Sequence, residues 1–203
     1  ATLDDREAID QFIALHPGKK VVVVQGLGFV GSVMGLVVAN ALTEEYAVIG
    51  IDLPNTASYW KICSINEGIF PVLASDPKIS QYYENSRKKK NYYATFDPYV
   101  YSRANVIVVD INLDVKKTAA SDNGANEYSV DLTPFKKAIE SIGSNCSPDA
   151  LVLVETTVPP GTSEKIVKPL LKECLQKRGL PVDQIKVAHS YERVMPGPKY
   201  IDS

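Results

Sequence analysis

Short, unbroken apolar runs alternate along this chain with longer segments whose apolar residues recur every three or four positions. The runs are Val21 to Val24, Tyr46 to Ile51, Asn105 to Val109, Ala150 to Val154 and Ile185 to Ala188, with a shorter candidate at Asn91 to Thr95. Their β-branched content predicts strands buried on both faces, the habit of a parallel sheet. Helices are predicted over Asp4 to Leu15, Ser32 to Leu42, and Asp76 to about Lys89. Another runs from a cap at Thr162 or Ser163 to about Arg178, kinked at Pro169. Thr133 reads as a cap with Pro134 in the first turn, ahead of Phe135, Ala138, Ile139 and Ile142 on one face. Ala57 to Asn66 reads as helix or irregular chain with Trp60 packed inward, and Asp97 to Arg103 as a short helical piece. Asn112 to Asp131 is polar, with a turn at Asn123-Gly124, and predicts a long functional loop. Strands alternating with helices specify an α/β fold with a mostly parallel, doubly wound sheet and helices on both faces.

The first run continues as V-V-V-V-Q-G-L-G-F-V-G, placing Gly26, Gly28 and Gly31 at the spacing G-x-G-x-x-G between a strand and a helix. In that setting the first glycine permits the turn, the second lets backbone approach a pyrophosphate, and the third lets the helix pack closely. Asp52 ends the second run, at the offset of a carboxylate that holds the ribose hydroxyls of a bound dinucleotide. A cap on the next helix is the plainer reading of the same residue. Facing the ribose, Asp52 would repel a 2′-phosphate, so the pair of features predicts a Rossmann-type domain that binds NAD rather than NADP.

Composition narrows the classes. With 203 residues, 45% of them hydrophobic, the chain can bury a full core. Residues 1–18 read as an N-terminal helical appendage and 19–203 as the dinucleotide-binding domain. The net charge of −2 supplies no positive field for nucleic acid or membrane. The basic run Arg87 to Lys90 suits the C-terminal turn of a helix. Cys63, Cys146 and Cys174 are odd in number and lack C-x-x-C pairing, which argues against disulfides and zinc and for reduced, inert thiols in a cytoplasmic protein. No apolar stretch reaches the roughly 20 residues that span a bilayer.

Two later segments are more specific. Val154 to Thr162, V-E-T-T-V-P-P-G-T, and His189 to Gly197, H-S-Y-E-R-V-M-P-G, resemble the nucleotide-sugar 6-dehydrogenases, the UDP-glucose and UDP-N-acetylhexosamine dehydrogenase family. The glycine turn fits that family, as do Asn66, Gly68 and Pro71 in I-N-E-G-I-F-P and the Asp131-Leu132 pair. The resemblance implies an NAD-dependent oxidation of a sugar C6 alcohol to a carboxylate, giving a uronic acid through two hydride transfers and a cysteine thioester. It assigns Gly26, Gly28, Phe29, Val30, Gly31, Asp52, Val109 and Thr157 to the cofactor, and Glu192 and Arg193 to the nucleotide-sugar substrate. Thr157 matches the threonine that positions a catalytic water, and Glu192 the carboxylate of an S-P-E motif that assists it. From the residues alone, Thr157 reads equally as a turn residue and Glu192 as a partner of Arg193.

The chain also departs from the family. Val109-Asp110-Ile111-Asn112 stands where V-P-T-P is usual, Leu73 to Pro77 replaces Y-E-P-G-L, and Tyr191 replaces the proline of S-P-E. None of the three cysteines has the glycine-rich context of the family's nucleophile, which lies in the later part of a chain about twice as long. The sequence is therefore expected to be the cofactor-binding part of a larger, homo-oligomeric enzyme, inactive by itself. The competing reading is a non-catalytic module that binds NAD or a nucleotide-sugar and regulates a partner. A short-chain dehydrogenase would need Y-x-x-x-K, and a P-loop kinase G-x-x-x-x-G-K-[ST]; both motifs are absent.

Overall fold

The computed structural model describes residues 4–120 and 126–202. Helix α1 (Arg6–Ala14) leads into β1 (Lys20–Gln25), α2 (Phe29–Ala39) and β2 (Tyr46–Ile51). Helices α3 (Tyr59–Glu67) and α4 (Pro77–Lys89) precede β3 (Tyr92–Thr95), a 3₁₀ turn (Pro98–Arg103) and β4 (Val106–Val109). A ribbon of β5 (Val115–Ala120) and β6 (Asn126–Val130) follows, then α5 (Thr133–Asn145) and β7 (Leu151–Val154). A π-helical stretch (Ser163–Val167) runs into α6 (Lys168–Lys177), and β8 (Lys186–His189) and a 3₁₀ turn (Tyr200–Asp202) complete the chain.

Six strands form one sheet in the order β3-β2-β1-β4-β7-β8, every pairing parallel. The strand period of two sorts the apolar side chains onto two faces. Val21, Val23, Ile49, Ile107 and Val152 pack with Ile9 and Phe12 of α1, Phe135, Ile139 and Ile142 of α5, and Leu171 and Leu175 of α6. Val22, Val24, Val48 and Val108 point to the opposite face, against Ala39 and the α2 side chains Met34 and Val38. The expected doubly wound parallel sheet is the fold observed. Helix α1 adds two buried side chains to the larger core cluster.

Local chemistry fixes several boundaries. Asp76 caps α4 by accepting the Lys78 N–H at 2.8 Å, and Gly68 ends α3 in the left-handed region at φ 94°. Lys89 and Lys90 lie at the C-terminal end of α4, as the basic run predicts. Three local expectations give way to the structure. The N-cap of α5 is Leu132, Thr133 itself is the first helical residue, and the Asp131 Oδ1 just ahead of the cap accepts the Thr133 N–H at 2.9 Å. The polar segment after β4 forms the antiparallel β5–β6 ribbon, pairing Val115 with Val130 and Lys116 with Ser129, rather than an irregular loop. Its Asn123-Gly124 turn lies outside the described residues. Trp60 is half-exposed, its Nε1 donating to the Ala57 carbonyl, and does not enter the core. The missing apolar partner is the reason: the face of α3 that packs inward carries Ile62 and Ile65 instead.

Burial separates core from surface sharply enough to test. Ile139 is fully enclosed and Leu42 fully exposed. Ile139→Ala is expected to cost about 2–5 kcal/mol and Leu42→Ala less than about 0.5 kcal/mol, as urea unfolding would read.

Candidate functional site

The sheet order reverses at β1, which pairs with β2 on one side and β4 on the other, and ligands of open parallel sheets bind outside the strand ends at such a point. A cleft of about 760 Å³ opens there. Gln25, Gly26 and Gly28 line it from β1 and its turn, Asp52 and Lys61 from the β2 side, Asp110 and Asn112 from β4, and Asp131, Thr133 and Lys137 from α5.

The three glycines have distinct physical reasons. Gly26 sits at φ 102°, and a Cβ there would come within 1.9 Å of the Asp110 carbonyl oxygen. A Cβ on Gly31 would stand 2.0 Å from the Gly26 carbonyl oxygen, so the helix start is pressed onto the turn. Gly28 meets nothing within 4 Å and is exposed, leaving its backbone open to the cleft. Helix α2 starts here with no side-chain cap of its own. Its first N–H groups, at Phe29 and Val30, have no acceptor within the helix and suit an anion. The side chains of those residues turn elsewhere. The Phe29 ring stacks on Tyr200 with centroids 4.7 Å apart, its carbonyl accepts the Tyr200 hydroxyl, and Val30 faces the same C-terminal segment.

Asp52 belongs to the cleft. Its Oδ2 accepts the Leu27 N–H at 3.0 Å and its Oδ1 the Leu53 N–H at 2.7 Å, which aims the carboxylate back across the glycine turn. It does not cap the following helix, whose N-cap is Ser58. Lys61 approaches the same Oδ2 at 3.4 Å, a largely buried ion pair that the sequence reading did not find. Val109 does not line the cleft. Its side chain is fully buried in the core, and its carbonyl accepts the N–H groups of Glu155 and Thr156.

The ends of β7 and β8 carry the remaining candidates. Thr157 is exposed on the loop after β7, whereas neighbouring Thr156 is buried, its hydroxyl accepting the Ile111 N–H at 2.7 Å and donating to the Val109 carbonyl. That bond ties the β4 end to the β7 end. Glu192 does not pair with Arg193; it accepts the Val194 N–H, while the Arg193 guanidinium lies over the Tyr191 ring. Neither Thr157 nor Glu192 lines the cleft. The structure instead brings Glu192 into electrostatic contact with Asp110 and Glu155, two carboxylates that the sequence reading left without a role.

Burial raises the Glu155 carboxyl to about 7, with Asp110 and Glu192 adding like charge. Its Oε2 is a buried oxygen with no hydrogen-bond partner among the described residues. Burial and Glu192 raise Asp110 to about 6, against a lowering bond from the Gly31 N–H. No cysteine lines the cleft, and burial pushes the Cys146 thiol up to about 11. Among the described residues no group of three or more His, Cys, Asp or Glu side chains is arranged to hold a metal ion.

The UDP-glucose/GDP-mannose dehydrogenase family model for the NAD binding domain matches residues 19–203. The chain belongs to this family. Its relatives include the UDP-N-acetyl-D-mannosamine dehydrogenase of Pyrococcus horikoshii, 28% identical over 187 residues, which cover 87% of this chain and 37% of that protein. Among solved structures, the NDP-N-acetyl-D-galactosaminuronic acid dehydrogenase of Methanosarcina mazei shares the fold at a TM-score of 0.77 and 23% identity, over 96% of this chain and 38% of that one. The GDP-mannose dehydrogenase of Pseudomonas aeruginosa, solved as a ternary complex, superposes at a TM-score of 0.68 with 25% identity, over 89% of this chain and 38% of that one. The chain thus spans little more than a third of the length of these dehydrogenases. The cleft of this NAD-binding domain presents an open backbone at Gly28, helix-start N–H groups at Phe29 and Val30, and the Asp52 carboxylate. No helix among the described residues is long and apolar enough to cross a membrane.

The raised acidity of Glu155 has a stability consequence. A carboxyl whose folded value is raised from 4.5 to about 7 adds stability below pH 4.5 and loses it as the pH rises through 7. Glu155→Gln is therefore expected to unfold at higher urea than the parent at pH 8, by about 1–3 kcal/mol, with no gain at pH 4.5.

Proposed function

We propose that this chain carries the cofactor for a nucleotide-sugar 6-dehydrogenase that oxidises the C6 alcohol of a UDP-sugar to a carboxylate, yielding a uronic acid with two NAD per turnover. The observation that carries the reading is the glycine turn at the switch point with Asp52 folded back over it, inside a chain that matches this family along nearly its whole length. The first-turn N–H groups of α2 hold the pyrophosphate, and Asp52 accepts the ribose hydroxyls. Lys61, paired with Asp52, steadies that carboxylate at the adenosine end. NAD supplies the hydride acceptor.

At the substrate end, Thr157 holds a water and Glu192 receives its proton, and Arg193 supplies a cation for the phosphates of the nucleotide-sugar. Glu155 stands beside them, half-protonated near neutral pH, and is suited to pass a proton between Glu192 and the water. The thiol that forms the thioester would lie outside these residues, because the cysteines present are buried or remote from the cleft. The relatives act on UDP- and GDP-sugars by name, and UDP-sugars are the class proposed here.

Two measurements test the assignment. Titration calorimetry of this chain is expected to show NADH binding at least about tenfold tighter than NADPH, a gap that Asp52→Ala narrows; equal affinities would remove Asp52 from the ribose site. In the intact enzyme, screened against UDP- and GDP-sugars while NADH forms, Glu192→Gln should slow oxidation by about a hundredfold, and unchanged turnover would remove its acid-base role.

A further inference from the structure

Asp110 occupies a position that the cofactor itself would use. Its backbone is fixed by continuation of the strand ladder, the Asp110 N–H donating to the Gln25 carbonyl at 2.9 Å, and by the Thr156 hydroxyl that holds the next N–H along. The side chain then has one direction open, toward the helix. Its Oδ2 lies 2.8 Å from where a Cβ on Gly31 would stand, and the carboxylate accepts the Gly31 N–H. Helix α2 begins with a glycine and no cap of its own, so a side chain from β4 supplies the anion that its first turn lacks. The glycine turn binds a pyrophosphate with the same N–H groups and the same dipole. Two anions therefore converge on one helix start.

We infer that Asp110 is an affinity-setting residue of the cofactor site, a carboxylate that shares the first turn of α2 with the dinucleotide pyrophosphate and weakens its binding while ionised. The inference rests on the cofactor reading above and adds the residue that tunes it. Burial and the negative charge of Glu192, from the loop after β8, favour the neutral form of Asp110, and the Gly31 N–H of α2 favours the carboxylate. Glu155 at the β7 end, raised to about 7, and Tyr200 in the C-terminal turn also face it and are neutral where Asp110 titrates. On the far side of the turn, Lys61 is paired with Asp52. A pyrophosphate arriving here adds further negative charge, so binding takes up a proton at Asp110.

The direction follows. Asp110 is neutral below about pH 6 and charged above it, so NADH affinity rises as the pH falls through that value. Neither phosphate of NADH titrates in this range, which leaves the protein as the source of the change. Calorimetric titration of this chain with NADH is expected to show about 5- to 10-fold tighter binding at pH 5.5 than at pH 7.5, with net proton uptake read from buffers of different ionisation enthalpy. Asp110→Asn keeps an acceptor for the Gly31 N–H and so keeps the helix start, as circular dichroism would confirm. It should bind at pH 7.5 as tightly as the parent does at pH 5.5, with a flat profile and no proton uptake. A parent profile that is itself flat, or an Asp110→Asn profile as steep as the parent's, would overturn the inference. So would a profile abolished by Glu155→Gln and untouched by Asp110→Asn. Absence of NADH binding by either protein at every pH would instead overturn the cofactor reading, and this inference with it.

Discussion

Strand β1 can turn into α2 only because nothing stands on Gly26 or Gly31. The Gly26 position faces the Asp110 carbonyl and the Gly31 position faces the Gly26 carbonyl, each at a separation that no side chain survives. This three-way backbone contact joins β1, β4 and the helix start into one rigid corner, with the parallel ladder of Gln25 and Val109 behind it. A cleft forms at that corner because β2 and β4 flank β1 on opposite sides, which is where the strand order reverses. Everything assigned to the cofactor, from the Gly28 backbone to Asp52 and Asp110, is measured from this corner.

The sheet was legible because it depends on short-range patterns. Runs such as Val21 to Val24 and Asn105 to Val109 must be apolar on both sides when helices cover both faces, and that demand is written directly into the residues. Motif residues proved to have architectural reasons as well. Asn66 forms a pair of hydrogen bonds with the Ala94 backbone, extending the edge of β3, and Gly68 supplies the left-handed end of α3. The β5–β6 ribbon was hidden because its strands, V-K-K-T-A-A and N-E-Y-S-V, lack a continuous apolar run and form a two-stranded sheet separate from the main one. The cap of α5 was misplaced by one residue for a similar reason: threonine and aspartate both suit a helix start, and it is the Asp131 side chain, just ahead of the Leu132 N-cap, that reaches the Thr133 N–H.

The acidic contacts were the least visible. Asp110, Glu155 and Glu192 lie far apart in the chain, and their mutual influence arises only when β4, β7 and β8 align their ends. Asp110 registered as a departure from a family pattern, with no sign that its carboxylate would reach the glycine turn. Glu155 sat inside the V-E-T-T-V-P-P motif, overshadowed by Thr157, yet burial gives it the more unusual protonation. Thr156, with no motif role assigned, is the tether that holds the two strand ends together. The inferred pH dependence of cofactor binding rests on Asp110, the one of these three carboxylates that lines the cleft.

The central claim, that the corner at Gly26 to Gly31 is the seat of the dinucleotide, is tested most directly by a crystal structure of this chain with NAD at pH 5.5. The account predicts the pyrophosphate within hydrogen-bond distance of the Phe29 and Val30 N–H groups, with the adenosine ribose on Asp52. A dinucleotide bound elsewhere, or turned so that Asp52 meets no hydroxyl, would contradict it.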